Sequence, residues 1–255
     1  MAFSPQSGAY PRASAATTAV YDAGLRAYML RVYNWMASGL LLTGAVAYGI
    51  ANTSLINLFF PLVQTPFGTA HQATALAMIA MFAPLAFVLV LSLGVNRLST
   101  RAAQALFWVF CAAMGASLVN IFLVYTSESI VRVFFITAAT FAATSLYGYT
   151  TRTDLTRFGS FLFMGLIGII IASLVNMFLM SSALQFAVSI IGVLVFTGLT
   201  AYDTQRIKSS YQQFVYAEGF DGAAKRSVYD ALSLYLNFIN LFMMLLQLMG
   251  NRNNN

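Results

Sequence analysis

One acidic residue in this chain stands where an acid is costly. Asp203 follows an apolar run that extends from Leu184 to Tyr202. The 255-residue chain contains only seven acidic residues in all. Burying a carboxylate among hydrocarbon costs about 2.5–3.5 kcal/mol on insertion scales, so an acid kept there usually serves a function. Asp203 is therefore a candidate ion or proton site. Alternatively, its carboxylate reaches the membrane surface and pairs with Arg206, one turn later.

Polar side chains recur along the last apolar run at spacings of three, four, three and seven residues. They are Asp230, Ser233, Asn237, Asn240 and Gln247. These spacings place them on one helical face, and that face must contact protein or water because lipid cannot satisfy its hydrogen bonds. We predict that this polar stripe lines a cavity. Hydrogen bonding between helices is the alternative. Asn120 and Asn176, in earlier runs, have the same two interpretations.

The composition is that of a membrane protein. Hydrophobic residues make up 60% of the chain, charged residues 8%, and the mean hydropathy is +0.77. Seven apolar runs approach the roughly 20 residues that a helix needs to cross a bilayer. They cover residues 29–51, 73–95, 103–125, 130–150, 159–180, 183–203 and 229–250. We therefore predict an all-α integral membrane protein, a bundle of seven transmembrane helices embedded in a lipid bilayer.

The basic residues are distributed unevenly along the chain. If the seven runs alternate in direction, eleven of the thirteen basic residues fall on one side; Arg132 and Arg252 are the exceptions. Such asymmetry indicates a cytoplasmic N-terminus. It also explains the net charge of +6 without a nucleic-acid partner. We expect a flexible cytoplasmic segment at 1–28, a transmembrane domain at 29–250 and a polar tail at 251–255.

The scarcity of histidine and cysteine argues against several kinds of catalytic and metal site. His71 is the only histidine and Cys111 the only cysteine. Neither a histidine-based metal site nor a Ser-His triad can be assembled from them. We expect no enzymatic activity and no tightly bound cofactor.

The order of the runs brings Asp203 close to the beginning of the seventh helix, at the cytoplasmic side. A carboxylate buried there could change its charge near neutral pH and so respond to protons. Two basic residues could hold the ionised form: Arg206, which is local, and Arg97, at the end of the second run.

Four segments together resemble the bacterial branch of the Bax inhibitor family. They are residues 78–87, 143–149, 199–205 (Leu-Thr-Ala-Tyr-Asp-Thr-Gln) and 234–242 (Leu-Tyr-Leu-Asn-Phe-Ile-Asn-Leu-Phe). The resemblance covers about residues 20–250. It implies a seven-helix bundle with the seventh helix at its centre, located in the bacterial inner membrane. The implied activity is a pH-sensitive calcium leak.

The resemblance also implies a sensor made of two aspartates that share a proton, with a nearby arginine latch. The first aspartate corresponds to Asp203, but the second corresponds to Asn237. This is a departure from the family pattern. The amide removes the repulsion between two acids and can donate to ionised Asp203, so we expect weaker pH gating. Asp230 lies roughly 10 Å nearer the cytoplasm and is not expected to substitute. Arg97 matches the latch best.

Two functions follow as hypotheses. The first is a cation leak, with calcium as the permeant ion and Asp203 as the gate or metal contact. One or two carboxylates cannot form a calcium cage, which suits conduction better than storage. The second is a non-conducting regulator that binds another membrane protein, such as a membrane-bound protease, through residues 204–228.

Overall fold

The computed structural model describes residues 11–65, 68–94 and 98–253, with the backbone alone for residues 11–21, 65, 70, 91–94 and 212–222. The described chain is predominantly helical, with one small β-hairpin. The helices are α1 (Pro11–Ala51), α2 (Ile56–Phe59), α3 (Ala75–Gly94), α4 (Thr100–Ser117), α5 (Asn120–Val124), α6 (Ser127–Thr150), α7 (Thr156–Leu179) and α8 (Ser182–Met249). Strands β1 (Leu62–Thr65) and β2 (Gly68–His71) pair antiparallel between α2 and α3, with Leu62 opposite His71.

The apolar runs form long helices. Among the described residues, five stretches are long and apolar enough to cross a membrane: Thr100–Val124, Ser127–Thr150, Thr156–Leu179, Ser182–Tyr211 and Ala223–Met249. The first two predicted runs overlap α1 and α3, and the described apolar part of α3 is the shorter stretch Ala75–Val90. Each predicted run is thus helical over most of its length. The count of seven spans and the cytoplasmic N-terminus remain predictions.

The sixth and seventh runs belong to a single helix, α8. Its first arm (Ser182–Tyr211) and its second arm (Ala223–Met249) lie side by side. Asp203 and Asn237 are hydrogen-bonded although 34 positions apart; a straight helix would separate them by about 50 Å. Helix continues from both arms into residues 204–228, the segment that joins them.

The second arm of α8 is the centre of the bundle. Its Leu234, Tyr235, Leu241 and Leu246 are fully buried. Half of its most apolar stretch is buried, against 6% of the corresponding stretch in α7. Phe107 and Phe110 of α4 pack edge-on against Tyr235, with ring centroids 6.2 and 5.5 Å away. Burial of these aromatic and aliphatic side chains makes this arm the core, as the family resemblance implied.

The segments that connect the helices make hydrogen bonds at both ends of the bundle. The turn between α6 and α7 meets the first arm, where Gln205 accepts from the Leu155 amide at 2.7 Å and donates to the Thr153 carbonyl at 2.8 Å. Because Arg152, Arg157, Lys208 and Arg226 all lie there, we call this the basic end. At the opposite end the Thr126 amide donates to the Asn251 carbonyl, at 3.0 Å. The polar tail is therefore paired with the chain between α5 and α6.

The segment predicted to be flexible, residues 1–28, is helical from Pro11 onward. Two features explain this correction. The segment is rich in alanine, the strongest helix former, and proline is well tolerated at the first helical position. The helical spacing of buried residues also extends back into this segment, because Leu25 and Tyr28 face the core as Val32 does. The first ten residues lie outside the described part.

Helix α6 lies very close to the first arm of α8. A Cβ at Gly148 would collide with the carbonyl oxygen of Ala201, which is part of the backbone and cannot move aside. Close approach of two helices at glycine is typical of packing in membranes. Because Ala201 is two positions before Asp203, this contact places the end of α6 close to Asp203.

Candidate functional site

The Asp203 carboxylate is buried near the basic end and both of its oxygens are engaged. The residue is 7% exposed. Its Oδ1 lies 3.0 Å from Nη2 of Arg206, and its Oδ2 accepts from Nδ2 of Asn237 at 2.8 Å. Both partners are donors, which is the arrangement that an ionised carboxylate requires. The amide at 237 thus donates to the acid, and the contact joins the two arms of α8.

Arg206 links the buried acid to the outside. Its guanidinium also donates to Oγ of Ser233 on the second arm, at a long 3.4 Å. The Arg206 side chain is 42% exposed, whereas that of Asp203 is 10% exposed. The pairing of Asp203 with Arg206 is therefore present, but the carboxylate stays inside the bundle and the arginine reaches in to it.

A second buried carboxylate, Asp230, has its own partners. The Tyr28 hydroxyl of α1 donates to its Oδ2 at 2.6 Å, and Nε of Arg226 lies 3.9 Å from its Oδ1. Asp230 is 5% exposed. The Tyr28 ring packs on that of Tyr211, with centroids 5.2 Å apart. Asp230 therefore anchors α1 to the second arm, a contact that the sequence interpretation missed.

A cavity of about 390 Å³ lies beside these groups. Its polar lining consists of Arg206, Arg226, Asp230 and Ser233. The Tyr229 side chain also lines it, and the buried Tyr229 hydroxyl has no hydrogen-bond partner among the described residues. Two guanidinium groups and a carboxylate thus face one space. Asp203 does not line this cavity, but it contacts Arg206, which does.

The rest of the polar stripe is distributed along the bundle. Asn240 is half-buried and is not among the residues that line this cavity. Gln247 lies at the opposite end, where its Oε1 accepts from Oγ of Ser189 at 2.9 Å. Residues of the stripe thus line two separate cavities, with Asp230 and Ser233 at one and Gln247 at the other. The stripe contacts the neighbouring helices one residue at a time, because α1 and the first arm pack against it.

The two earlier asparagines do not belong to this site. Asn176 lines a different cavity, of about 410 Å³, at the opposite end, and its Oδ1 accepts from the Ser181 amide at 2.9 Å. This hydrogen bond fixes the turn between α7 and α8. Asn120 is exposed at the break between α4 and α5, and its role as a cavity-lining residue stays a prediction.

The remaining sequence predictions concern a latch and a metal. Arg97 lies outside the described residues, and Arg206 occupies the position beside Asp203. Across the described ranges, no three histidine, cysteine or acidic side chains come together as they would around a bound metal ion. The role of Asp203 as a metal contact stays a prediction.

Comparison with known proteins gives a consistent result. The model of the family described as inhibitor of apoptosis-promoting Bax1 matches residues 25–254. An uncharacterised protein of Rickettsia prowazekii is 50% identical over 233 residues, covering 91% of this chain and 92% of that protein. The inner membrane protein YbhL of Escherichia coli is 47% identical over 231 residues, covering 90% and 94%. An uncharacterised membrane protein of Streptococcus pyogenes is 34% identical over 229 residues, with the same coverage.

Proposed function

The chain belongs to the Bax inhibitor family, and from that premise we propose that it is a pH-sensitive calcium leak of the bacterial inner membrane. The similarity to YbhL, an inner membrane protein, supports the location. The activity rests chiefly on one observation, the buried Asp203 carboxylate that is held by a cation and an amide. Buried acids within membrane helices commonly mark ion and proton pathways.

In the proposed closed state, ionised Asp203 holds the two arms of α8 together. A proton on the carboxylate cancels the charge that Arg206 and Asn237 bind. A hydrogen bond to a charged group contributes about 1.5–3 kcal/mol, so its loss shifts a two-state equilibrium roughly ten- to a hundredfold. The second arm is then free to move relative to the first, and acidification favours the open state.

Arg206 acts as the barrier in this mechanism. Its guanidinium lines the cavity near the basic end, where a positive charge repels calcium. When Asp203 takes up a proton, Arg206 loses its buried partner and can turn outward, since its side chain is already 42% exposed. The cavity then presents Ser233, the Tyr229 hydroxyl and Asp230 to an entering cation, and the charge of Arg226, which also lines the cavity, is offset by Asp230 at 3.9 Å.

Calcium is a permeant ion in this proposal and no resident metal or cofactor is involved. Stable calcium sites use six to eight oxygen ligands, and two separate carboxylates fall well short of that. Weak binding to a partly hydrated ion allows the ion to leave again, which conduction requires. We also propose that the protein is not an enzyme, because its single histidine, His71, leaves no nucleophile–base pair to assemble.

Calcium flux into dye-loaded liposomes tests the proposal. Wild type should leak faster as the pH falls from 8 to 6. Asp203→Asn cannot form the ion pair with Arg206 and should leak rapidly at every pH. Asp154→Asn is the matched control, because it removes an exposed acid from the turn between α6 and α7, and it should retain the wild-type pH profile. Equal, pH-independent flux in wild type and Asp203→Asn would rule out Asp203 as the gate.

A second candidate is a non-conducting regulator of another membrane protein. The polar stripe favours it, because Asp230 is hydrogen-bonded to α1 and Gln247 to the first arm of α8, as a purely structural stripe requires. This hypothesis expects no calcium flux and a stoichiometric membrane-protein partner, such as a protease, that cross-links to residues 204–228. Flux without such a partner would reject it.

A further inference from the structure

An apolar groove of about 710 Å³ opens between α1 and α6 and shares no lining residue with the cavity at Arg226. Small side chains of α6, at Ala138 and Ala142, leave the space, and Phe238 of α8 is among the residues that line it. The Tyr33 hydroxyl and Oγ of Ser145, which lie 2.6 Å apart, connect the two helices within it.

The groove extends along α1 and has one basic end. The residues of α1 that line it extend from Arg26 to Leu41, a rise of about 22 Å. One leaflet of a bilayer has a hydrocarbon depth of about 15 Å. The groove is thus long enough for the acyl chain of a lipid in one leaflet, with its polar end at Arg26.

Positive charge is concentrated at that end. Arg26 is exposed, and the ion pairs found among the described residues use Arg206 and Arg226 instead. Tyr149 lines the same end of the groove, and Nζ of Lys208 lies 5.0 Å above its ring while donating to its carbonyl at 2.7 Å. A guanidinium at one end of an apolar groove is suited to a phosphate group, which arginine can bind through two parallel hydrogen bonds.

We propose that this groove is a binding site for an anionic phospholipid, with an acyl chain between α1 and α6 and the phosphate at Arg26. The apolar walls select a lipid over a free anion, and the basic end selects an anionic headgroup over a zwitterionic one. The site is independent of the proposed leak, because neither Asp203 nor the cavity at Arg226 contributes to it.

Native mass spectrometry of the purified full-length protein tests this site. Phosphatidylglycerol and phosphatidylcholine are added separately, and the bound fraction of each is measured for wild type, Arg26→Gln and Ala142→Phe. Wild type should retain phosphatidylglycerol in preference to phosphatidylcholine. Arg26→Gln should weaken that retention about fivefold, the equivalent of the ~1 kcal/mol that a basic residue near an anionic surface contributes. Ala142→Phe fills the groove and should reduce retention of both lipids.

Two matched controls separate a site from general surface charge. Arg31→Gln removes an exposed arginine of α1 that faces a different pocket, and Ala143→Phe adds the same bulk on another face of α6. Both should bind lipid as wild type does. Equal losses in Arg26→Gln and Arg31→Gln would overturn the proposal, as would equal retention of the two lipids by wild type. Displacement of the lipid by millimolar inorganic phosphate would also overturn it. Arg26 is exposed, so its variant remains informative if Ala142→Phe fails to fold.

Discussion

Replacing Asn237 with aspartate should restore a pair of acids and sharpen the response to protons. In the structure, Nδ2 of Asn237 lies 2.8 Å from Oδ2 of Asp203. An aspartate there puts a second carboxylate oxygen at about that distance. If both acids are ionised, their repulsion is about 6 kcal/mol at an effective dielectric constant near 20. Arg206 can offset only part of this, because it already binds the other oxygen of Asp203.

The repulsion is relieved when the two carboxylates share one proton. Even a third of it, about 2 kcal/mol, exceeds the ~1.4 kcal/mol that corresponds to one pH unit. The midpoint of calcium flux in Asn237→Asp liposomes should therefore move toward higher pH by about one unit or more. Asn240→Asp is the control, since it adds an acid at a half-buried position on the same arm, one turn beyond the residue that contacts Asp203. An unchanged midpoint in Asn237→Asp, or an equal shift in Asn240→Asp, would refute the reasoning.

Three further predictions concern stability, measured by thermal unfolding in detergent. Tyr28→Phe removes the hydroxyl that donates to a buried carboxylate at 2.6 Å and should cost about 1.5–3 kcal/mol; an unchanged unfolding temperature would contradict this. Gly148→Ala should lower the free energy of unfolding by about 1–3 kcal/mol through overpacking. Gly44→Ala is the control: its added Cβ meets nothing within 4 Å, so it should be neutral or slightly stabilising. Equal effects of the two variants would show that the contact between α6 and α8 is not tight. The Thr156 hydroxyl and amide hold the pKa of Asp154 below its usual value, so this exposed acid stabilises the fold above its unfolded-state pKa. The difference in unfolding temperature between wild type and Asp154→Asn should shrink as the pH falls below about 4. A difference that stays constant with pH would contradict the stabilising effect of ionised Asp154.

The apolar runs were sufficient to predict most of the fold. Hydrophobic length is a local property, so each run could be assigned to a helix without knowledge of its neighbours. The contact between Asp203 and Asn237 was foreseeable too, because the family motifs place both residues on adjacent helices. The burial of the second arm agrees with the central position that the resemblance implied.

The contacts of α1 were not foreseen. Tyr28 lies in an alanine-rich segment that was interpreted as flexible because it lacks a long apolar run. The spacing of Leu25, Tyr28 and Val32 was an available signal for a buried helical face. What the sequence could not supply is the rotation of α1 about its axis. That rotation decides which side chain reaches Asp230, and it depends on packing against residues distant in sequence.

The asparagines outside the site also show that the sequence does not determine which partner a polar side chain binds. Asn120 and Asn176 have similar local sequences, yet one is exposed at a helix break and the other binds the Ser181 amide in the turn between α7 and α8. Side-chain type indicates that a hydrogen bond is needed inside a bundle, but the partner is set by tertiary structure. The continuation of helix from the first arm past Asp203 was missed because the charged residues that follow Asp203 resemble a loop.

Infrared difference spectroscopy can observe the proposed proton on Asp203 while calcium flux is recorded in the same liposomes. As the pH is lowered from 8 to 6, wild type should lose a carboxylate band and gain a protonated-carboxyl band in step with the rise in flux. Asp203→Asn should lack this pair of bands. A rise in wild-type flux without them, or the same bands in Asp203→Asn, would contradict the role of Asp203 as the group whose protonation opens the leak.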